Sequence, residues 1–180
     1  MLSDRVLSRK AAQGCRDSLR TIYELHKDHL LTLARALTGD RSLAEDIVHD
    51  VFVTFTRNLP RLKLRISLRA YLCVAVCNRV RDLARMRARQ STGPSAVDLD
   101  SEVSASPETL ASHAEQTERL RAALRLLPPE QREVVLLRSR AALPFKEIAH
   151  CQGVSVNTAQ ARYRYGIDRL RSLMNSELEP

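Results

Sequence analysis

The sequence predicts an all-α protein: two small helical domains joined by a flexible linker, the second a helix-turn-helix. Three observations carry this expectation. Apolar residues recur every three or four positions over most of the 180 residues, and no run sustains period-two alternation. Leu and Ala dominate while Gly numbers only 5, a composition that favours helix. The apolar repeat breaks off between about Gln90 and Thr117, where Ser, Thr, Pro and acids such as Asp98, Asp100, Glu102 and Glu108 take over. The reading is therefore a domain over 1–89, a linker over 90–117 and a domain over 118–180, with its helical pattern starting near Ala114.

In chain order, Leu2 to Cys15 reads as a short polar first helix. From Leu19 a long helix follows, with Ile22, Leu25, His26, Leu30, Leu33, Ala34 and Leu37 on one face and Gly39 just past its end. Ser42 with Glu45 three residues on reads as a capping box for the next helix. That helix turns Leu43, Ala44, Ile47, Val48, Val51, Phe52 and Phe55 inward and clusters Glu45, Asp46, His49 and Asp50 on its other side. Pro60 stops it, and Arg61 to Ser67 is a basic connection. A third strong helix spans about Leu68 to Arg89, its apolar face being Leu72, Ala75, Val76, Val80, Leu83 and Ala84. In the second domain Leu120, Ala123, Leu124 and Leu127 pack before Pro128-Pro129 breaks the helix. Glu130 to Arg140 forms another, with Val134, Val135 and Leu137 inside.

The last stretch is the most specific. Phe145 to Ala149 makes a short helix and Gly153 a turn that tolerates positive φ. Ser155 stands where an N-cap belongs. Behind it Val156, Ala159, Tyr163, Ile167, Leu170 and Met174 form one apolar stripe, and the opposite face carries Asn157, Thr158, Arg162, Arg164 and Tyr165. Short helix, glycine turn and capped longer helix make a helix-turn-helix, which lays its second helix in the DNA major groove.

Charge points the same way. The chain carries a net +8, so polyanions are the expected partners. From Arg57 to Arg89 ten Lys/Arg accompany a single acid, Asp82, a local charge of +9 that marks a phosphate-binding surface. No run of about 18 apolar residues exists, so no membrane span is expected. Met1 to Gly14 lacks the pattern of a secretory signal, so a cytoplasmic protein is expected. Four cysteines (Cys15, Cys73, Cys77, Cys151) show no C-x-x-C spacing and read as buried small hydrophobes. No metal or other cofactor is called for.

Tyr23-x-x-His26, Leu33-Ala-Arg35, Thr38-Gly39-Asp40, Ala44 to Phe52, Ala70-Tyr-Leu72 and Asn78-Arg-Val-Arg-Asp82 resemble region 2 of bacterial sigma factors. Leu127-Pro128-x-x-x-Arg132-x-Val134 and the helix-turn-helix resemble region 4. No stretch long enough for region 3 lies between them, so the chain resembles the extracytoplasmic-function subfamily over residues 18–89 and 116–174. The resemblance implies a non-catalytic initiation subunit whose partners are RNA polymerase core enzyme and promoter DNA. An inhibitory anti-sigma factor is compatible with exposed basic docking surfaces, though no residue identifies one.

By the same resemblance, Asp46, His49, Asp50 and Phe52 would dock polymerase. Leu59 to Arg89 would melt and hold the −10 element, with Arg61, Lys63, Asn78, Arg79, Asp82 and Arg85 as the contacts. Ser155, Asn157, Thr158, Gln160, Arg162, Arg164 and Tyr165 would meet the −35 duplex, Arg162 suiting guanine and Asn157 adenine, with Arg164 and Arg169 on phosphates. Three positions depart from the family pattern: Gln160 where Lys is common, Tyr165 where Arg is common, and His49 where Gln is usual. Two rivals stand beside this reading. A stand-alone helix-turn-helix regulator would bind duplex without polymerase. A metal-dependent His-Asp phosphohydrolase would build on His26, His29, His49 and Asp50, but needs further converging ligands.

Overall fold

The computed structural model describes residues 4–62, 64, 66–90 and 109–175, and eight α-helices lie among them. They are α1 (Asp4–Ala12), α2 (Arg16–Thr38), α3 (Arg41–Asn58), α4 (Leu68–Gln90), α5 (Thr109–Arg125), α6 (Pro129–Ser139), α7 (Phe145–Gln152) and α8 (Val156–Asn175), with a 3-10 turn at Leu59–Arg61. The chain divides into two compact units, Met1–Leu99 and Asp100–Pro180.

In the N-terminal unit α2 packs against α1, α3 and α4, and α3 also packs on α4. Ile22, Leu30 and Leu33 of α2 meet Ile47 and Phe55 of α3 and Leu68, Leu72 and Val76 of α4 in a core closed to solvent. Cys73 and Cys77 are buried within it as small apolar fillers. Gly39 ends α2 in the left-handed region (φ 74), its N–H donating to the Arg35 carbonyl.

Several expectations are corrected here. Asp40, not Ser42, caps α3: it is extended, and its Oδ1 accepts from Leu43 N at 3.0 Å. The helix already begins at Arg41, so Ser42 lies inside the first turn, too late to cap it. Glu45 turns away to Arg35 and Arg41, each at 3.0 Å. Leu25 is 41% exposed, because it lies at the edge of the buried α2 stripe of Ile22, His26, Leu30 and Leu33. Cys15 is exposed, not buried; it stands at the α2 N-cap and accepts a hydrogen bond from Ser18 Oγ at 3.3 Å, which lowers its thiol pKa. At the far end of α4, Leu83 is only half-buried and Ala84 is exposed.

In the C-terminal unit α8 packs on α5, α6 and α7. Leu124, Leu127, Val134, Leu136, Leu137, Leu143 and Ile148 form the buried centre. Helix α5 begins at Thr109, so Thr109 to Thr117, read as linker, is helical; Ala111, Ala114, Glu115 and Gln116 are good helix formers and outweigh the polar character of the stretch. The rest of the predicted linker, 91–108, lies outside the described residues. Val156, expected in the stripe of α8, is 39% exposed. The close packing lies further along, where a Cβ added to buried Gly166 would stand 2.9 Å from Val135 Cγ2 on α6.

Candidate nucleic-acid interface

The helix-turn-helix is built by two backbone devices. Gly153 takes φ 64, its N–H closing α7 onto the Ala149 and His150 carbonyls, and Val154 N donates to Ala149 O at 3.0 Å. Ser155 then caps α8: its Oγ accepts from Thr158 N at 3.1 Å and lies 2.9 Å from Thr158 Oγ1. The first turns of α8 consequently leave Ser155, Asn157, Thr158 and Gln160 exposed. Ala159 and Leu170 hold the opposite edge in the core.

Arg162 is placed differently from the open face expected of it. It is half-buried and donates from Nη1 to Gln152 Oε1 at 2.7 Å, while Gln152 Nε2 donates to the Glu130 carbonyl at 3.0 Å. This chain of bonds ties α8 to the end of α7 and the start of α6, so Arg162 braces the motif. Arg164 and Tyr165 are exposed, the guanidinium 5.2 Å from the ring centre. Behind the motif Phe145 meets Tyr163 edge-on at 5.5 Å, and Arg138 lies 5.2 Å from the Phe145 ring.

In the N-terminal unit Asn78 and Arg61 are exposed. Arg85 pairs with Asp82 one turn earlier on α4. Arg79 is paired with Asp50 of α3 at 2.7 Å, which joins a residue expected on DNA to one expected on polymerase. Lys63 lies outside the described residues. On α3, Asp46 and His49 are exposed and Asp50 is half-buried. The Arg41 guanidinium, with Arg35 beside it, holds the Glu45 carboxyl below its ordinary range.

Phe52, expected as a docking residue, is only 7% exposed, its ring 4.8 Å from that of Tyr23 in an edge contact. It contributes instead to an open groove of about 540 Å³ between α2 and α3, lined also by Leu19, Tyr23, His49 and Val53, with Arg16, Arg20 and Arg57 among its walls. Sequence reasoning missed this groove. The available signal was Leu19 and Tyr23, an apolar pair one turn apart on α2 that widens the Ile22–His26–Leu30 stripe along one flank.

His26 is buried with Nε2 unpartnered, and burial holds its imidazole below the ordinary value; Arg69 and His29 push the same way and Asp4 opposes them. Among the described residues no three His, Cys, Asp or Glu side chains come together as a metal site, so His26, His29, His49 and Asp50 do not form one. No described helix is long and apolar enough to cross a membrane.

Comparison with known proteins gives the family. The family model Sigma-70 region 2 matches residues 22–90, and Sigma-70, region 4 matches residues 117–170. RNA polymerase sigma factor CarQ of Myxococcus xanthus is 26% identical over 166 residues, covering 92% of this chain and 94% of its own length. The probable RNA polymerase sigma factor RfaY of Xanthomonas campestris pv. campestris is 29% identical over 172 residues; the match spans 93% of this chain and 42% of that protein. The ECF RNA polymerase sigma factor SigD of Mycobacterium tuberculosis is 27% identical over 168 residues, 90% of this chain and 79% of its own. Among solved structures, CnrH in complex with the cytosolic domain of CnrY shares the fold with a TM-score of 0.74 at 22% identity, over 96% of this chain and 97% of CnrH. The sigma factor RpoE of Bartonella quintana, in complex with the anti-sigma factor NepR, gives 0.73 at 22% identity, over 87% of this chain and 96% of RpoE. With region 2 and region 4 matched in that order over more than half its length, the chain belongs to the sigma-70 family of RNA polymerase sigma factors, in the two-region form of the extracytoplasmic-function group.

Proposed function

We propose that this chain binds core RNA polymerase in the cytoplasm, directs it to particular promoters and starts transcription, with no catalysis of its own. In this reading the N-terminal unit, residues 1–89, docks polymerase and holds the opened −10 element. The C-terminal unit, whose helices begin at Thr109, reads the −35 duplex, and the positions between Gln90 and Thr109 are the tether.

One observation carries the reading: the capped N-terminal turns of α8 expose Asn157, Thr158 and Gln160 while its other edge is packed into the core. These side chains present amide and hydroxyl groups, the chemistry that meets base edges in the major groove. Arg164 and Tyr165 follow on the exposed side, suited to the phosphate backbone. In the N-terminal unit exposed Arg61 and Asn78 supply a cation and an amide for a single strand, with the Asp82–Arg85 pair on the same helix as Asn78. Asp46 and His49 offer acceptors to cations of the polymerase, and the adjoining α2–α3 groove offers apolar area. An anti-sigma partner belongs to the same reading, supported by the complex of RpoE with NepR.

The test is run-off transcription by purified core polymerase with and without this chain, on DNA fragments recovered with the two proteins from cells. A promoter-specific transcript that requires the chain is expected. Tight duplex binding by the chain alone, with no transcript on adding core, would establish the stand-alone regulator instead.

A further inference from the structure

We infer that the Asp50–Arg79 ion pair keeps a DNA-binding arginine neutralised until polymerase docks; this rests on the sigma-factor reading above. The pair spans two helices, Asp50 Oδ2 on α3 lying 2.7 Å from Arg79 Nη2 on α4. Its two ends belong to surfaces of opposite chemistry. Asp46, exposed one turn before Asp50, continues the acidic face of α3, while on α4 exposed Asn78 neighbours Arg79 in the otherwise strongly basic stretch from Arg57 to Arg89. The side chains are 48% and 41% exposed, so either end is open to an outside partner. Arg79 Nε is buried without an acceptor, so the guanidinium hangs on its outer nitrogens and Asp50 is the acceptor it has found.

A guanidinium bonded to a carboxylate presents almost no net charge to a DNA phosphate. A cation of the polymerase that takes the Asp50 carboxylate leaves Arg79 with its full charge and free to meet a DNA phosphate beside exposed Asn78. Linkage makes the effect reciprocal: DNA that engages Arg79 strengthens docking at Asp50 by the same factor. Half-exposed pairs are individually weak, so the expected factor is about threefold in affinity.

The experiment measures binding of a labelled mixed-sequence single-stranded 20-mer to the full chain as salt is varied. The variants are Asp50→Asn, Arg79→Gln, the double variant and Asp46→Asn. Asp50→Asn is expected to tighten binding about threefold and to steepen the salt dependence by nearly one counterion, with a clearly smaller gain from Asp46→Asn. Arg79→Gln should cost little alone yet erase the gain of Asp50→Asn in the double variant. Equal costs of Arg79→Gln with Asp or Asn at position 50, or equal gains from the two Asn variants, overturn the inference. Run-off transcription by the unmodified chain with core polymerase tests the underlying reading separately: an active chain whose variants behave additively loses the latch alone.

Discussion

Gly166 gives the sharpest test of how α8 is seated. In an isolated helix Gly→Ala stabilises by about 1 kcal/mol, because alanine restricts the unfolded backbone and exposes less of the helix. Here the added Cβ would lie 2.9 Å from Val135 Cγ2 and 3.5 Å from both Cβ and the carbonyl oxygen of Gln131. The optimum for two carbons is about 3.5–4.0 Å, so the first contact is repulsive. Val135 is buried and β-branched, so it cannot rotate away cheaply, and the helices must separate. Overpacking of this kind costs about 1–3 kcal/mol, which outweighs the helix gain and predicts a net loss of about 1 kcal/mol for Gly166→Ala. Val135→Ala removes the obstructing methyl and leaves a cavity, at about 2 kcal/mol. In the double variant the new methyl enters that space, so the combined loss should fall short of the sum by about 1–2 kcal/mol. Calorimetry of the full chain, with amide exchange read on α8 to assign the transition to the C-terminal unit, measures all three. A Gly166→Ala variant stabilised by the full helix increment, with additive behaviour in the double, would refute close packing at this crossing.

Asp40→Ala should destabilise the N-terminal unit by about 1 kcal/mol through loss of its cap, while Ser42→Ala should change its thermal midpoint hardly at all. His26 is buried and its folded pKa lies below the ordinary value, so the unfolded chain binds the extra proton. Stability is present above about pH 6.5 and declines as pH falls below it; the midpoint of the N-terminal unit between pH 7.5 and 5 should show this, and less so in His26→Gln. Ser155→Ala should cost about 1 kcal/mol in the C-terminal unit and weaken duplex binding as the first turn of α8 frays. Within the polymerase complex, Asn157→Ala should relax sequence preference at one promoter position at a cost of about 1–3 kcal/mol. Arg164→Ala should instead weaken all sequences alike and lower the salt slope by about one.

What was legible in the sequence was whatever local chemistry determines. Gly153 and Ser155 announce the turn and cap because positive φ and a free N–H are requirements of single residues. The stripes of α2, α3 and α4 are equally local, since periodicity alone reports which face is apolar. The errors cluster where two elements compete for one side chain. Asp40 and Ser42 are both good caps, and only the true start of α3 at Arg41 decides between them. Phe52 reads both as a core residue of α3 and as a docking residue beside Asp50, and the Tyr23 ring of α2 that covers it decides for the core. Cys15 reads as apolar until it is found at a helix terminus with Ser18. The Asp50–Arg79 pair could not be foreseen, because it depends on how one helix is rotated against the next, and the groove shows in the sequence only as the apolar pair Leu19 and Tyr23.

Arg162 shows how such tertiary bonds bear on specificity. A free arginine near the start of a reading helix would favour guanine strongly. Bound to Gln152, which is itself held by the Glu130 carbonyl, its guanidinium must first give up a 2.7 Å bond to reach a base. Gln160 and Tyr165 stand where the family more often has cations, so the solvent-facing start of α8 is polar but weakly charged. On the proposed reading this surface discriminates by hydroxyl and amide contacts while contributing little electrostatic affinity. Such a surface is useful only when tethered, since a linked second contact operates at a high effective concentration even where its own affinity is poor. On the proposed reading the isolated chain is expected to bind duplex DNA weakly because Arg162 is held by Gln152, and to depend on polymerase for that reason.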